Sequence, residues 1–292
     1  MRNLIFALSL MTLPLLASVQ ETFNSAVEAY ENKSWPELLK LSEDLTKNYA
    51  KTPFGQEAHF FLAVSYYNLK QYEPANKQFT AYLKSQATPK HFEEAIEYKF
   101  AIAEQFKAGE RKHIMGMENL PKWISAREDA IAIYDEVITA LPHHDMGARA
   151  LLGKATLLFK EEEFKSSIET YQTLIRRFPK HPLAVESFIG IGEIYFTQSR
   201  KEYTDPDFLD LAEINMRKFK TSFPLNEKIV VAEKILLQMK ELYAKSLYET
   251  AQFYERTNKA KASLIYYSQL IAKYPDTKLA ELSKERLEVL KK

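Results

Sequence analysis

Residues 151–179 read LLGKATLLFKEEEFKSSIETYQTLIRRFP, and the spacing within this stretch decides the fold. Leu151, Ala155 and Leu158 recur at helical intervals. After the polar EEE, Ser167, Tyr171 and Leu174 do the same, and Pro179 closes the segment. Two amphipathic helices of similar length joined by a short polar turn make an antiparallel pair. A small side chain in each helix lets the two axes approach, and an aromatic one turn later fills the groove this opens.

The same pattern recurs on both sides. Helical stretches close at Pro142, Pro179, Pro224 and Pro275, 37, 45 and 51 residues apart. Counting back from each, a small residue, a large one and another bulky one recur at fixed offsets: Ala130, Tyr134, Val137; Ser167, Tyr171, Leu174; Ala212, Met216, Phe219; and Ser263, Tyr267, Leu270. The final unit adds Leu247, Ala251 and Tyr254 ahead of its Ser263. An earlier unit has Ala63, Tyr66, Ala75, Phe79 and Tyr82 without the proline. These residues resemble the tetratricopeptide repeat, whose unit is about 34 residues. The excess length falls in two insertions, GERKHIMGMENLPKW before Ala130 and SRKEYTDPD before Ala212, after which Asp205 and Pro206 restart a helix. Residues 22–50 read as a weaker first pair with Trp35 and Pro36 at its turn, and residues 276–292 as a charged capping helix. The expected fold is all-α, a TPR-type superhelix of about six antiparallel pairs plus the cap, spanning 21–292 with halves at 21–142 and 143–292.

Composition agrees. Seven glycines in 292 residues disfavour folds that depend on Gly-rich phosphate loops or tight hairpins, whereas aromatics reach 13%. Forty Lys and Arg against 39 Asp and Glu leave a net charge of +1, which excludes a polybasic nucleic-acid binder. The absence of Cys removes disulfides, thiol nucleophiles and thiolate metal sites together. Ahead of the repeats, MRNLIFALSLMTLPLLASVQ has one charge and an apolar run from Leu4 to Leu16, too short to cross a bilayer. Residues 1–20 therefore read as a cleaved export signal, with an uncleaved N-terminal anchor as the alternative.

Nothing in the chain reads as a catalytic centre. His143, His144 and Asp145 lack the helical spacing of a metal site, and the runs Glu93, Glu94 and Glu161, Glu162, Glu163 lie beside turns, where solvated helix ends are expected. No cofactor or metal is expected. First helices line the groove of such an array, which offers Phe60, Val64, Tyr67 and Asn68 in one unit and Phe100, Glu104 and Lys107 in the next as peptide-binding positions. The alternative is that these side chains bury against the neighbouring pair.

A closer resemblance rests on LYAKSLYETAQFYERTNKAKASLIYYSQLIAKYPDT at 242–277, with Phe253, Tyr254, Ala262 and the closing YPDT. It rests also on TPFGQEAHFFLAVSYYNLKQYEPANKQF at 52–79, with its Pro-Phe-Gly opening and its Tyr66 and Tyr67 pair. Both patches are similar to the BamD family of outer-membrane protein assembly lipoproteins, which also has a counterpart to the long insertion ending near Trp123. The resemblance implies a non-enzymatic periplasmic scaffold that binds the β-barrel insertase and outer-membrane protein peptides, with possible peripheral association with the outer membrane. It also marks departures. Val19 stands where the lipid-bearing Cys belongs, so no lipobox remains. Leu247 replaces an acidic residue and Tyr266 an arginine near the surface the family uses to hold the insertase. The competing reading is another envelope TPR adaptor, such as a division or Tol-linked coordinator.

Overall fold

The computed structural model describes residues 18–114, 120–201 and 205–291. Among these, helices α1 (18–31) and α2 (Trp35–Asn48) form a first pair, followed by α3 (Pro53–Asn68) with α4 (Tyr72–Ser85) and α5 (Phe92–Ala108) with α6 (Arg127–Ala140). Then come α7 (Asp145–Lys160) with α8 (Phe164–Arg177), α9 (Pro182–Lys201) with α10 (Asp207–Ser222), α11 (Ile229–Arg256) with α12 (Ala260–Lys273), and a closing α13 (Lys278–Leu290). That is the all-α tetratricopeptide fold, six pairs and a cap. The chain packs as two compact units that part within α7, one ending at Gly153 and one starting at Lys154. Most of the expected signal at 1–20 lies outside the described residues. Residues 18–20 open α1, where Val19 is buried and Phe23 packs against Phe54 and Phe61.

The helix ends explain how so few glycines suffice. The turns inside four pairs place Lys33, Lys70, Glu162 and Asn258 in the left-handed region, with φ between 56° and 62°. The next residue in each case, Ser34, Gln71, Glu163 or Lys259, donates its N–H back to the fifth residue before it, closing the same C-terminal motif four times. The prolines end the second helices as the sequence requires. Leu141, Phe178, Phe223 and Tyr274 precede them, all with φ near −130° and ψ near 60°, because the proline ring excludes the helical conformation there.

Within pairs, small residues twelve apart meet. Ala63 and Ala75, Ala155 and Ser167, and Ala251 and Ser263 are all fully buried, and Ser167 donates its hydroxyl to the Ala155 carbonyl at 2.7 Å. Between pairs, the large residue of four of the second helices packs on the residue nineteen positions later. Phe79 stacks on Tyr98 at 5.2 Å and Met216 packs with Ile235, whereas Tyr134 and Tyr171 lie over Gly153 and Gly190. A Cβ on Gly190 would sit 2.6 Å from the Tyr171 Cζ. Because that ring is itself buried, Gly190→Val is expected to cost about 2–3 kcal/mol by overpacking, read as a lowered midpoint in urea with an unchanged slope.

The first insertion folds as a short ribbon beside the helix pairs: β1 (Arg111–His113) pairs antiparallel with β2 (Lys122–Ser125), with Arg111 opposite Ser125 and Lys112 opposite Ile124. Gly109, at φ 116°, stops α5 and frees the chain to double back. The ribbon is tied down by Lys112 to Asp129 at 2.5 Å and by Lys122 to the Lys70 carbonyl at 3.1 Å. At the second insertion the helix restarts one residue later than the sequence suggests. Pro206 is the cap position, and the Asp205 carboxylate accepts from the Asp207 N–H at 2.9 Å.

Candidate functional site

In the unit ending at Gly153, the expected peptide-binding positions divide. Phe60 and Val64 are wholly buried, so the expectation that they face a groove is corrected. Helix α3 is apolar on every side, with Phe60 to Ser65 all buried, and a helix of that kind must be covered all round. Phe60 stacks flat on the His91 ring at 4.3 Å and meets Phe61, Phe79 and Tyr82 at 5.4–6.1 Å. The His91 ring nitrogens face Glu57 at 3.2 Å and Glu94 at 3.1 Å, which places a polar clamp over an aromatic core.

Tyr67 and Asn68, one turn further on, are half-buried. Tyr67 lies edge-on to Tyr72 and Tyr98, at 5.6 and 5.0 Å, and the Asn68 amide donates to the Val64 carbonyl at 2.8 Å. On α5, Phe100 packs 6.1 Å from Tyr134. Lys107 is not a free cation. Its ammonium lies 2.6 and 2.8 Å from the two Glu104 oxygens, and the same carboxylate accepts from the Tyr134 hydroxyl. Burial, and then the Glu104 carboxylate beside it, push the Tyr134 phenol far up from its ordinary value. Lys99 is fully buried behind this strip, donating to Asn76 at 2.6 Å and Thr80 at 2.7 Å and pairing with Glu136 at 2.7 Å. Those three partners match its three donors, so it is a structural ammonium.

In the unit beginning at Lys154, Tyr266 stacks on Tyr254 at 5.4 Å, and Tyr254 meets Phe253 at 5.6 Å. Leu247, half-buried, lies two turns before Tyr254 on the same face of α11. Sequence reasoning missed the neighbouring stripe Leu242, Ser246, Glu249 and Phe253, which presents a Phe ring 54% exposed. Its spacing of three to four residues is visible in the sequence. Its exposure depends on which side α12 covers. Among the described residues no group of His, Asp and Glu is placed to hold a metal ion, and no helix is long and apolar enough to cross a membrane.

The profile of the outer membrane lipoprotein family YfiO matches residues 125–292, more than half of the chain, from the end of β2 through the capping helix. The chain belongs to this family. As a YfiO-family member of tetratricopeptide fold it is a BamD-like protein, built for contacts with other proteins. No curated protein matches it significantly. Among solved structures, the chain is similar to a TPR repeats protein from Bacteroides fragilis, with 12% identity over 93% of this chain and 98% of the other and a TM-score of 0.44. It is also similar to MamA from Desulfovibrio magneticus, with 17% identity, 72% and 97% coverage and a TM-score of 0.39. A tetratricopeptide repeat protein from Parabacteroides merdae gives 12% identity, 94% and 100% coverage and a TM-score of 0.40.

Proposed function

We propose that this YfiO-family chain is a non-enzymatic scaffold of the cell envelope that holds the β-barrel insertase during outer-membrane assembly and contacts outer-membrane protein peptides. Exported by residues 1–20, it would work in the periplasm. The observation that carries this reading is the family match across residues 125–292, which contains the exposed Phe253 and the stacked Tyr254 and Tyr266. Apolar and aromatic groups exposed beside one another on paired helices are what a protein interface uses as anchors. The partner surface is assigned to Leu247 and Tyr266 with this stripe. Peptide contact is assigned to the half-buried Tyr67, Asn68, Phe100 and Lys107, since Phe60 and Val64 are occupied in the core.

The test is retention of purified insertase periplasmic domains by the immobilised full chain. Phe253→Asp is expected to weaken retention at least tenfold while leaving the thermal transition in place, because the ring is more than half exposed. Tyr67→Ala should leave insertase retention intact and weaken capture of aromatic-ended outer-membrane peptides. If the full chain retains no insertase at low or moderate salt, Leu247 and Tyr266 mark a different partner, and the envelope adaptor reading replaces this one.

A further inference from the structure

The second helices of the unit beginning at Lys154 carry a feature unrelated to those anchors. Helices α8 and α10 form the walls of a groove of about 560 Å3, with α9 as its floor. Phe188, Ile191 and Tyr195 supply an apolar base, all three buried. Helix α10 spends one face, Leu209, Ala212, Met216 and Phe219, on the core. A second stripe, Leu211, Ile214, Lys218 and Ser222, looks into the groove at intervals of three to four residues, and Leu211 and Ile214 remain 40% and 39% exposed. Such positions on a second helix would ordinarily be charged or polar.

The charges around the groove have one sign. Arg176 on one wall and Arg217 and Lys218 on the other are exposed, and among the described residues no Asp or Glu lines the groove. Other lysines of this unit do find carboxylates, as exposed Lys220 does with Glu233 and half-buried Lys240 with Glu213. Arg176 has a hydrogen bond to the Thr173 hydroxyl at 3.1 Å, and none of the three cations is in an ion pair among the described residues. In a chain of net charge +1, three unpaired cations around one apolar groove form a local field that favours a negative ligand.

We infer that the α8–α10 groove docks an acidic amphipathic helix of a partner protein, whose apolar residues enter between Leu211, Ile214 and Tyr195 and whose carboxylates meet Arg176, Arg217 and Lys218. The stripe from Leu211 to Ser222 is about 16 Å long, three turns of helix, and two helical walls offer a third helix the i, i+3, i+4, i+7 register it needs. The cations sit on both walls, which suits carboxylates on either flank of a helix. A single lipid headgroup would call for cations gathered at one end. Polar Asn215, whose amide is held by the Phe188 carbonyl at 2.8 Å, gives the base a fixed point as well. This inference does not depend on the insertase reading, because its residues lie on helices apart from Leu247, Phe253 and Tyr266.

The experiment uses the purified chain and a labelled 14-residue helix-forming peptide with Leu at i, i+3, i+4 and i+7 and Glu on both flanks. The control peptide has Lys in place of each Glu. Fluorescence anisotropy is expected to show the Glu peptide binding at least tenfold more tightly than the Lys peptide, with affinity falling as salt is raised. Ile214→Asp and, separately, the pair Arg217→Glu and Lys218→Glu should each cost at least tenfold in affinity. The charge pair is wholly on the surface and keeps the test valid if Ile214→Asp disturbs folding. Equal binding of the two peptides, no binding of either, or indifference to both variants overturns the inference. So does Ile214-dependent sedimentation with phosphatidylglycerol vesicles without peptide binding, and so does an Ile214-dependent dimer without peptide binding, which would make a second copy the occupant.

Discussion

Raising the pH from 10 to 12 is expected to unfold this protein, with the loss of helix and the ionisation of its buried tyrosines coinciding. Burial pushes the phenol of Tyr82, wholly inside the α3–α4 pair, up to about 12, and the Glu57 carboxylate adds to this against a donated His91 N–H. Burial, reinforced by the charge of Asp205, brings Tyr243 likewise to about 12. Tyr30, Tyr134, Tyr171 and Tyr267 are raised as well, each first by burial. A phenol whose folded pKa lies above its unfolded value keeps its proton longer in the folded chain. Its stabilisation is therefore complete below pH 10 and is lost as pH climbs through the folded value. Several buried phenols lose this contribution over the same range, and the margin they draw on is only the roughly 5–15 kcal/mol that holds a domain together.

Lys99 acts in the opposite sense. Burial lowers its pKa below the usual 10.5, so its contribution rises with pH through that window, and stability should peak just before the tyrosines begin to titrate. Circular dichroism at fixed urea, recorded with phenolate absorbance across pH 8–12.5, checks both slopes. Ionisation of all seventeen tyrosines near pH 10 while the helices persist would show that water reaches the buried rings in the folded chain.

Gly55→Ala is expected to cost about 3–4 kcal/mol, against the general rule that alanine stabilises a helix by about 1 kcal/mol over glycine. Gly55 lies in the first turn of α3, where an added Cβ would sit 2.1 Å from the Tyr49 carbonyl oxygen and 2.9 Å from the Ala50 Cα. These are backbone atoms and cannot rotate away. The same carbonyl accepts from the Thr52 N–H at 2.9 Å and hydroxyl at 2.7 Å, and the Thr52 hydroxyl caps the Gly55 N–H at 3.1 Å. Relieving the clash therefore breaks the cap as well, worth about 1 kcal/mol beyond the overpacking. Gly192→Ala in α9 is the internal control. Its nearest neighbour would be an Ile235 methyl at 3.9 Å, so the propensity gain should stand uncancelled. Urea midpoints that move in opposite directions for the two variants confirm the contrast. A Gly55→Ala chain as stable as its parent would mean that the α2–α3 connection yields.

Spacing alone named Phe60, Val64, Tyr67 and Asn68 together, and the structure divides them. Tyr67 and Asn68 stay half-buried where the α3 pattern turns polar at its C-terminal end. Phe60 and Val64 could not be told from them by spacing alone, since a helix covered on two sides and one covered on all sides share the same inward stripe. His91, six residues beyond the end of α4, supplies the ring that covers Phe60. Lys107 reads as an available cation until Glu104, three residues earlier, is seen to hold it with both oxygens. The α8–α10 groove left no local signal either, because its two walls are separated by α9 and their cations lie more than forty positions apart in sequence.

By itself the sequence determined the helix pairs. Prolines that exclude the helical conformation before them, small residues twelve apart that let two axes close, and large side chains that recur at a fixed offset from them are local constraints, and each survives in the structure at the residue that imposed it. Only the tertiary structure decided which outward faces stay open. A side chain's exposure is set by the helix that packs over it, whether from its own pair or the next. Thus Phe60 vanished beneath His91, Gly153 and Gly190 acquired a purpose beneath Tyr134 and Tyr171, and Phe253, Leu211 and Ile214 were left facing solvent.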